Sequence, residues 1–173
     1  MPSQREQEFL ALLRQNDARL RRICRIHARD AEVRKDLYQE IVFQLWRSLP
    51  SFTGASSIHT WLYRVALNTA LRQARRRANR SETTLDEERV EPAESTASLG
   101  EADEALTLDE QSERLYAAID RLDSVDRMLI TMYLDDRTYR EMAEVIGISD
   151  SNVGVRLHRI RKALARSLAK ETV

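Results

Sequence analysis

From Val33 to Leu49 apolar residues recur at four-residue steps, at Val33, Leu37, Ile41 and Leu45, which stack on one face of a helix that Pro50 ends. That stripe faces a core. At about 100° per residue, the opposite arc collects Asp36, Gln39, Glu40, Phe43 and Arg47, so a large aromatic sits among groups that should face water. This arc is either a surface for a partner or a solvated face that happens to carry an aromatic. The following run SFTGASS, with Gly54 and small hydroxyl residues, reads as a loop. Ser56 or Ser57 then caps a helix reaching about Arg77. Its buried side is Ile58, Leu62, Val65, Ala66 and Thr69, while Arg64, Asn68 and Arg75 share the far side with Arg72 flanking.

Further along, Leu115 to Leu122 and Val125 to Leu134 each predict a short amphipathic helix, with Asp123 and Ser124 punctuating between them. Thr138 and Glu141 form a T-x-x-E capping box that opens a helix from Tyr139 to Ile146. Gly147 terminates it, and Ser149 can cap a new helix. On that last helix Val153, Leu157, Ile160, Leu164 and Leu168 lie within a narrow arc and pack inward. Ser151, Val155, His158, Arg159 and Lys162 then point outward, flanked by Asn152 and Arg156. Helix, tight turn and helix is the arrangement that reads DNA in the major groove. Short polar residues at the helix start touch base edges, and arginines behind them take guanine or phosphate. A helical hairpin with a solvated basic face is the plainer alternative.

Charge separates these segments. The formal net charge is zero, with 28 Lys plus Arg against 28 Asp plus Glu. Between Glu40 and Glu82 there is no acid, while Arg47, Arg64, Arg72, Arg75, Arg76, Arg77 and Arg80 make a basic block. From Ser81 to Ala105, nine acids stand against Arg89 alone. Ser151 to Lys170 is basic again, with no acid. The acidic middle, with Pro92, Gly100 and few large apolar residues, cannot bury enough surface to offset the entropy of ordering it. The expected fold is therefore all-α. Two small helical domains, 1–80 and 108–173, are joined by a flexible acidic linker at 81–107. No internal repeat and no strand alternation accompanies them.

Composition narrows the function. A chain of 173 residues, 42% hydrophobic and 6% aromatic, has no stretch of about 20 apolar residues to span a membrane. The N-terminus lacks a basic region followed by an apolar stretch, so no secretory signal is expected and the expected location is cytoplasmic. Cys24 has no second cysteine to pair with, and with His27 it makes a C-x-x-H pair lacking the other two ligands of a structural zinc. His59 and His158 stand apart from catalytic partners, and four scattered glycines form no phosphate loop. No enzyme activity, cofactor or metal is expected.

The stretches DLYQEIVFQLWRSL and SFTGASSIHTWLYRVALNTALRQARRR resemble region 2 of the extracytoplasmic-function (ECF) sigma factors of the sigma-70 family. The stretch TYREMAEVIGISDSNVGVRLHRIRKAL is similar to their region 4. The resemblance implies a bacterial transcription initiation factor that binds core RNA polymerase and directs it to promoter DNA. Region 2 would bind the clamp helices of the largest polymerase subunit and open the minus-ten element. Region 4 would bind the flap of the second subunit and the minus-thirty-five element.

Carried over by position, Asp36, Gln39 and Glu40 match the clamp-binding motif, with Phe43 beside them. The loop Ser51 to Ser57, with Ser51, Phe52, Thr53 and Ser56, matches the segment that captures a flipped base. Trp61 follows it, although core packing is the plainer role for that residue. Arg64, Asn68, Arg72, Arg75 and Arg76 fall on the helix lying along the promoter backbone. In region 4 the DNA-facing set is Thr138, Ser149, Ser151, Asn152, Val155, Arg156, His158, Arg159 and Lys162. The commonest form of the family has G-T-V-K-S-R where this chain has Ser151 to Arg156, so Gly154 replaces a lysine. The linker would thread the RNA exit path as a transcript mimic, or serve as a plain tether.

Two other classes of function fit the same residues. A stand-alone helix-turn-helix regulator would use the first domain for dimerisation or sensing, and a helical adaptor would bind only protein. For regulation, the family implies an anti-sigma factor covering the Asp36 to Phe43 face. A monomer closed by its own acidic linker would give the same low basal activity.

Overall fold

The computed structural model describes residues 3–83 and 107–170. Every regular element among the described residues is helical: α1 (Gln4–His27), α2 (Ala31–Ser48), α3 (Ile58–Thr83), α4 (Leu108–Asp120), α5 (Ser124–Tyr133), α6 (Tyr139–Ile146) and α7 (Asp150–Lys170), with a single 3-10 turn at Leu49–Ser51. Residues 84–106, which hold most of the expected acidic linker, lie outside the described residues.

Local chemistry explains most boundaries. Asp30 caps α2 by accepting from the Val33 amide at 3.0 Å, and Pro50 turns the chain at its end. Of the two candidate serines, Ser57 caps α3: its Oγ accepts from the Thr60 amide at 3.0 Å. The capping box of α6 forms as expected, with Thr138 and Glu141 each accepting from the other's backbone. Gly147 then takes φ 82°, a left-handed conformation suited to glycine, and ends the helix. Two boundaries differ from expectation. α4 starts seven residues before Leu115, because Thr107 and Glu110 make a second capping box there. α3 runs on to Thr83, past the expected end near Arg77, since no Pro or Gly interrupts RRRANRSET.

The periodicity did not reveal α1, the second longest helix. It buries Phe9, Asn16, Leu20, Ile23, Cys24 and Ile26. Asn16, 1% exposed, breaks the apolar stripe, yet it is satisfied: it donates to the Leu12 carbonyl at 2.8 Å and accepts from Arg19.

α1, α2 and α3 pack together, and α5, α6 and α4 pack around α7. The stripe of α2 is buried as expected, with Leu37, Ile41 and Leu45 at most 1% exposed. Val153, Leu157 and Ile160 of α7 are likewise enclosed. The two groups also pack on each other, α1 against α4 and α5, and α3 against α5 and α6. Their buried side chains form one continuous cluster. This contact explains why α3 buries more than the expected stripe: Tyr63 and Leu67 are fully enclosed.

Candidate nucleic-acid and partner interfaces

The outer face of α2 carries Asp36, Gln39 and Phe43 in the open, and Phe43 is 55% exposed. Glu40 is half-buried and accepts from Gln44 at 2.8 Å. Beside them lies a shallow groove of about 410 Å³ lined by Phe9, Tyr38, Gln39, Val42, Phe43 and Trp46. Its floor is rigid. The Phe9 and Trp46 rings meet with centroids 5.1 Å apart, and the Arg5 guanidinium lies 4.5 Å over Trp46. Tyr38 donates to Asp17 at 2.6 Å. The face is thus an exposed apolar shelf with Asp36, Gln39 and Glu40 beside it on the same helix, and exposed aromatic surface of this kind is what protein-docking surfaces enrich. Phe9 is the shelf residue that sequence periodicity could not supply, because α1 was not recognised.

The loop before α3 is anchored at both ends. The Phe52 amide donates to the Leu49 carbonyl at 3.1 Å, and the Ser51 hydroxyl donates to the Ser48 carbonyl at 2.6 Å. Between them and Ser57, Gly54 takes φ 77° with nothing within 4 Å of where a Cβ would stand. Thr53 is exposed and Ser56 half-buried. Trp61 is 8% exposed and its ring lies 5.3 Å from that of Phe52, so in this arrangement Trp61 packs.

Along α3, Arg64, Asn68, Arg72, Arg75 and Arg76 are all exposed. Arg72 donates to the Asn68 carbonyl at 3.2 Å, and Arg72 and Arg76 line a groove of about 290 Å³ with Asp36, Glu40 and Gln44 of α2. Arg64 donates to the Glu144 carbonyl of α6 at 3.1 Å, so it is engaged by the second helical group.

On α7, Ser151, Asn152, Val155, His158, Arg159 and Lys162 are exposed together, Val155 at 51%. Ser149 caps the helix by accepting from the Asn152 amide at 3.3 Å. Arg156 turns inward instead. Its Nε donates to Asp126 at 2.7 Å and its Nη2 to Asp123 at 3.3 Å, tying α7 to the start of α5. Gly154 leaves room for the Tyr139 ring, whose Cε2 would stand 3.4 Å from an added Cβ. Burial pushes Glu141 upward, but the bonds from Thr138 and the charge of Arg137 outweigh it and leave this carboxyl below its ordinary value.

The remaining titratable candidates are structural. Cys24 is 3% exposed, and burial pushes its thiol up to about 12, which suits a packed thiol. His27 is pushed down to about 4, first by burial and then by Arg127, and its Nε2 lies 3.3 Å from the Thr131 hydroxyl. Among the described residues no group of His, Cys, Asp and Glu could hold a metal, and no helix is long and apolar enough to cross a membrane.

These surfaces can be set against known proteins. The model of the family "Sigma-70 region 2" matches residues 12–80, and that of "Sigma-70, region 4" matches residues 112–164. The ECF RNA polymerase sigma-E factor of Escherichia coli (strain K12) is 30% identical over 134 residues, covering 75% of this chain and 70% of that protein. The RNA polymerase sigma-H factor of Pseudomonas aeruginosa is 28% identical over 144 residues, 80% of this chain and 75% of that protein. In fold, the chain is similar to the sigma factor RpoE solved with the anti-sigma factor NepR from Bartonella quintana. The TM-score is 0.74 at 21% identity, over 94% of this chain and 98% of that one. It is also similar to CnrH solved with the cytosolic domain of CnrY, with a TM-score of 0.67 at 21% identity, over 95% of this chain and 89% of that one. Two region models in the right order and a sigma-E relative across most of the chain lead to one conclusion: the chain belongs to the sigma-70 family as an ECF RNA polymerase sigma factor, a transcription initiation factor and not an enzyme.

Proposed function

We propose that residues 1–80 dock on the clamp helices of the largest subunit of core RNA polymerase through Asp36, Gln39, Glu40 and Phe43, and read the minus-ten element through the loop Ser51 to Ser57 and the basic face of α3. Residues 108–173 contact the flap of the second subunit and read the minus-thirty-five element, with Ser151, Asn152, Val155, His158, Arg159 and Lys162 of α7 toward the DNA. Action at promoter DNA is consistent with the cytoplasmic location expected of the chain.

The observation that carries this reading is the division of the surface by chemistry. An exposed Phe43 sits on an apolar shelf lined by Phe9, Val42 and Trp46, while Arg64, Arg72, Arg75 and Arg76 of α3 and Arg159 and Lys162 of α7 are exposed basic side chains. A polyanion is drawn to the basic faces, whereas an apolar aromatic shelf offers it no charge to pair with, so the α2 face suits protein and the other two suit DNA. An anti-sigma factor is the proposed regulator, supported by the RpoE relative, which is solved with one.

A gel shift on promoter duplex with and without core polymerase tests the proposal. Retardation that needs both proteins is expected of a sigma factor. Tight binding without polymerase would favour a stand-alone helix-turn-helix regulator, and a shift indifferent to the basic faces would favour an adaptor.

A further inference from the structure

Where the two helical groups meet, polar side chains pair across the boundary. Arg25 of α1 donates to Glu113 of α4, and Arg29 Nε lies 3.1 Å from Asp120 Oδ2. At the centre is Asp135, in the turn after α5, with a side chain 7% exposed. Its Oδ2 accepts from the hydroxyl of Tyr63 on α3, and its Oδ1 accepts from Arg22 on α1. Arg22 also donates to the Leu134 carbonyl at 3.0 Å, and Arg19 Nε stands 4.0 Å from Asp135 Oδ2. A carboxylate enclosed to this degree is costly unless partnered, and these partners all come from the other helical group. Asp135 is satisfied in this way only while the groups stay together.

That contact is incompatible with reading two promoter elements at once. The inference rests, for this consequence, on the promoter-reading function proposed above. Centres about 25 base pairs apart lie about 85 Å apart on B-DNA at about 3.4 Å per pair. A compact chain of this length has a radius of gyration of about 16 Å and is about 40 Å across. The segment between Thr83 and Thr107, fully extended at about 3.4 Å per residue, reaches about 80 Å, enough to let the groups part. In the closed arrangement, Arg64, one of the residues proposed to track the promoter, is held on the backbone of α6.

We propose that Asp135, with Arg22, Arg19 and Tyr63, is an autoinhibitory lock that keeps the free protein closed until polymerase draws the two groups apart. The lock is built from helices and not from the acidic linker.

The test uses the full chain. Small-angle X-ray scattering should give a radius of gyration near about 16 Å for the wild type. It should rise by a quarter or more in Asp135→Ala and separately in Arg22→Ala, at unchanged helicity by circular dichroism. Arg22 is 39% exposed on its side chain, so its variant carries the test if Asp135→Ala loses helix. A wild type that is already extended, or variants as compact as the wild type, would overturn the lock. Binding to a fluorescent mixed-sequence duplex is the second readout. The open variants should bind at least five times tighter, and equal binding by an expanded variant would overturn the inhibitory role. No duplex binding even by an expanded variant would likewise overturn the inhibitory role, while scattering decides whether the lock exists and the gel shift with core polymerase decides the promoter reading separately.

Discussion

Arg156 on the recognition helix donates through Nε to Asp126 at 2.7 Å, so one of the arginines expected to meet DNA is a strut between α7 and α5. Its neighbour Arg159 is exposed and has no such partner on α5 to hold it back. The two should therefore separate in experiment. Arg156→Ala should lower the thermal stability of the fold, by about 1 kcal/mol for a partly exposed pair of ion contacts. Arg159→Ala should leave stability nearly unchanged and weaken binding to the upstream promoter element. Loss of a phosphate contact would reduce the salt slope by about 1, and loss of a base contact would cost about 1–3 kcal/mol with relaxed preference. Equal melting temperatures for the two variants would show the Arg156 strut to be idle.

Core binding is predicted to depend on the α2 face. Gln39→Ala combined with Glu40→Ala, and separately Phe43→Ala, should weaken holoenzyme formation, with Phe43 contributing upward of about 1 kcal/mol as an aromatic anchor. Because Phe43 is 55% exposed, its removal should barely move the melting temperature. Native-gel titration against core polymerase reads the first effect and circular dichroism the second. Undiminished affinity in both variants would remove the face from the interface.

A pH dependence follows from His27. Its pKa is depressed to about 4, so the folded, closed state binds its proton less readily than the unfolded chain does. Between the ordinary value near 6.5 and about 4 the unfolded chain carries more protons, so stability rises with pH through this window and is lost as pH falls. The full effect is on the order of 3 kcal/mol. Scanning calorimetry from pH 7 to pH 4 should show a falling melting temperature, with a shallower slope in His27→Gln. An identical slope in that variant would assign the acid sensitivity to other groups.

Gly154 offers a stability test and a recognition test at one position. A Cβ there would stand 3.4 Å from Tyr139 Cε2, ordinary van der Waals contact, and glycine inside a helix costs about 1 kcal/mol relative to alanine. Gly154→Ala should raise the melting temperature by a few degrees. Gly154→Lys should restore the basic residue of the commonest family pattern and steepen the salt dependence of duplex binding. A drop in stability for Gly154→Ala would mean that Tyr139 cannot give way.

Where a helix carried its own punctuation, the amino-acid order alone determined it. The stripe from Val33 to Leu45, the Thr138 and Glu141 box, Gly147, and the inward arc from Val153 to Leu164 are short-range facts, decided by side chains three to seven residues apart. The same local patterns placed the exposed faces of α2, α3 and α7, and the motifs on them pointed to the family. α1 escaped because its stripe is broken by Asn16, whose burial makes sense only once the Leu12 carbonyl and Arg19 are seen to satisfy it. The role of Arg156 escaped because Asp126 lies 30 residues away. Only the tertiary structure decided that the two groups close on each other, since the pairing of Arg22 with Asp135 spans 113 residues and leaves no periodic trace in the chain. A buried charge is recognisable by what surrounds it, and that surrounding exists only after the helices have packed.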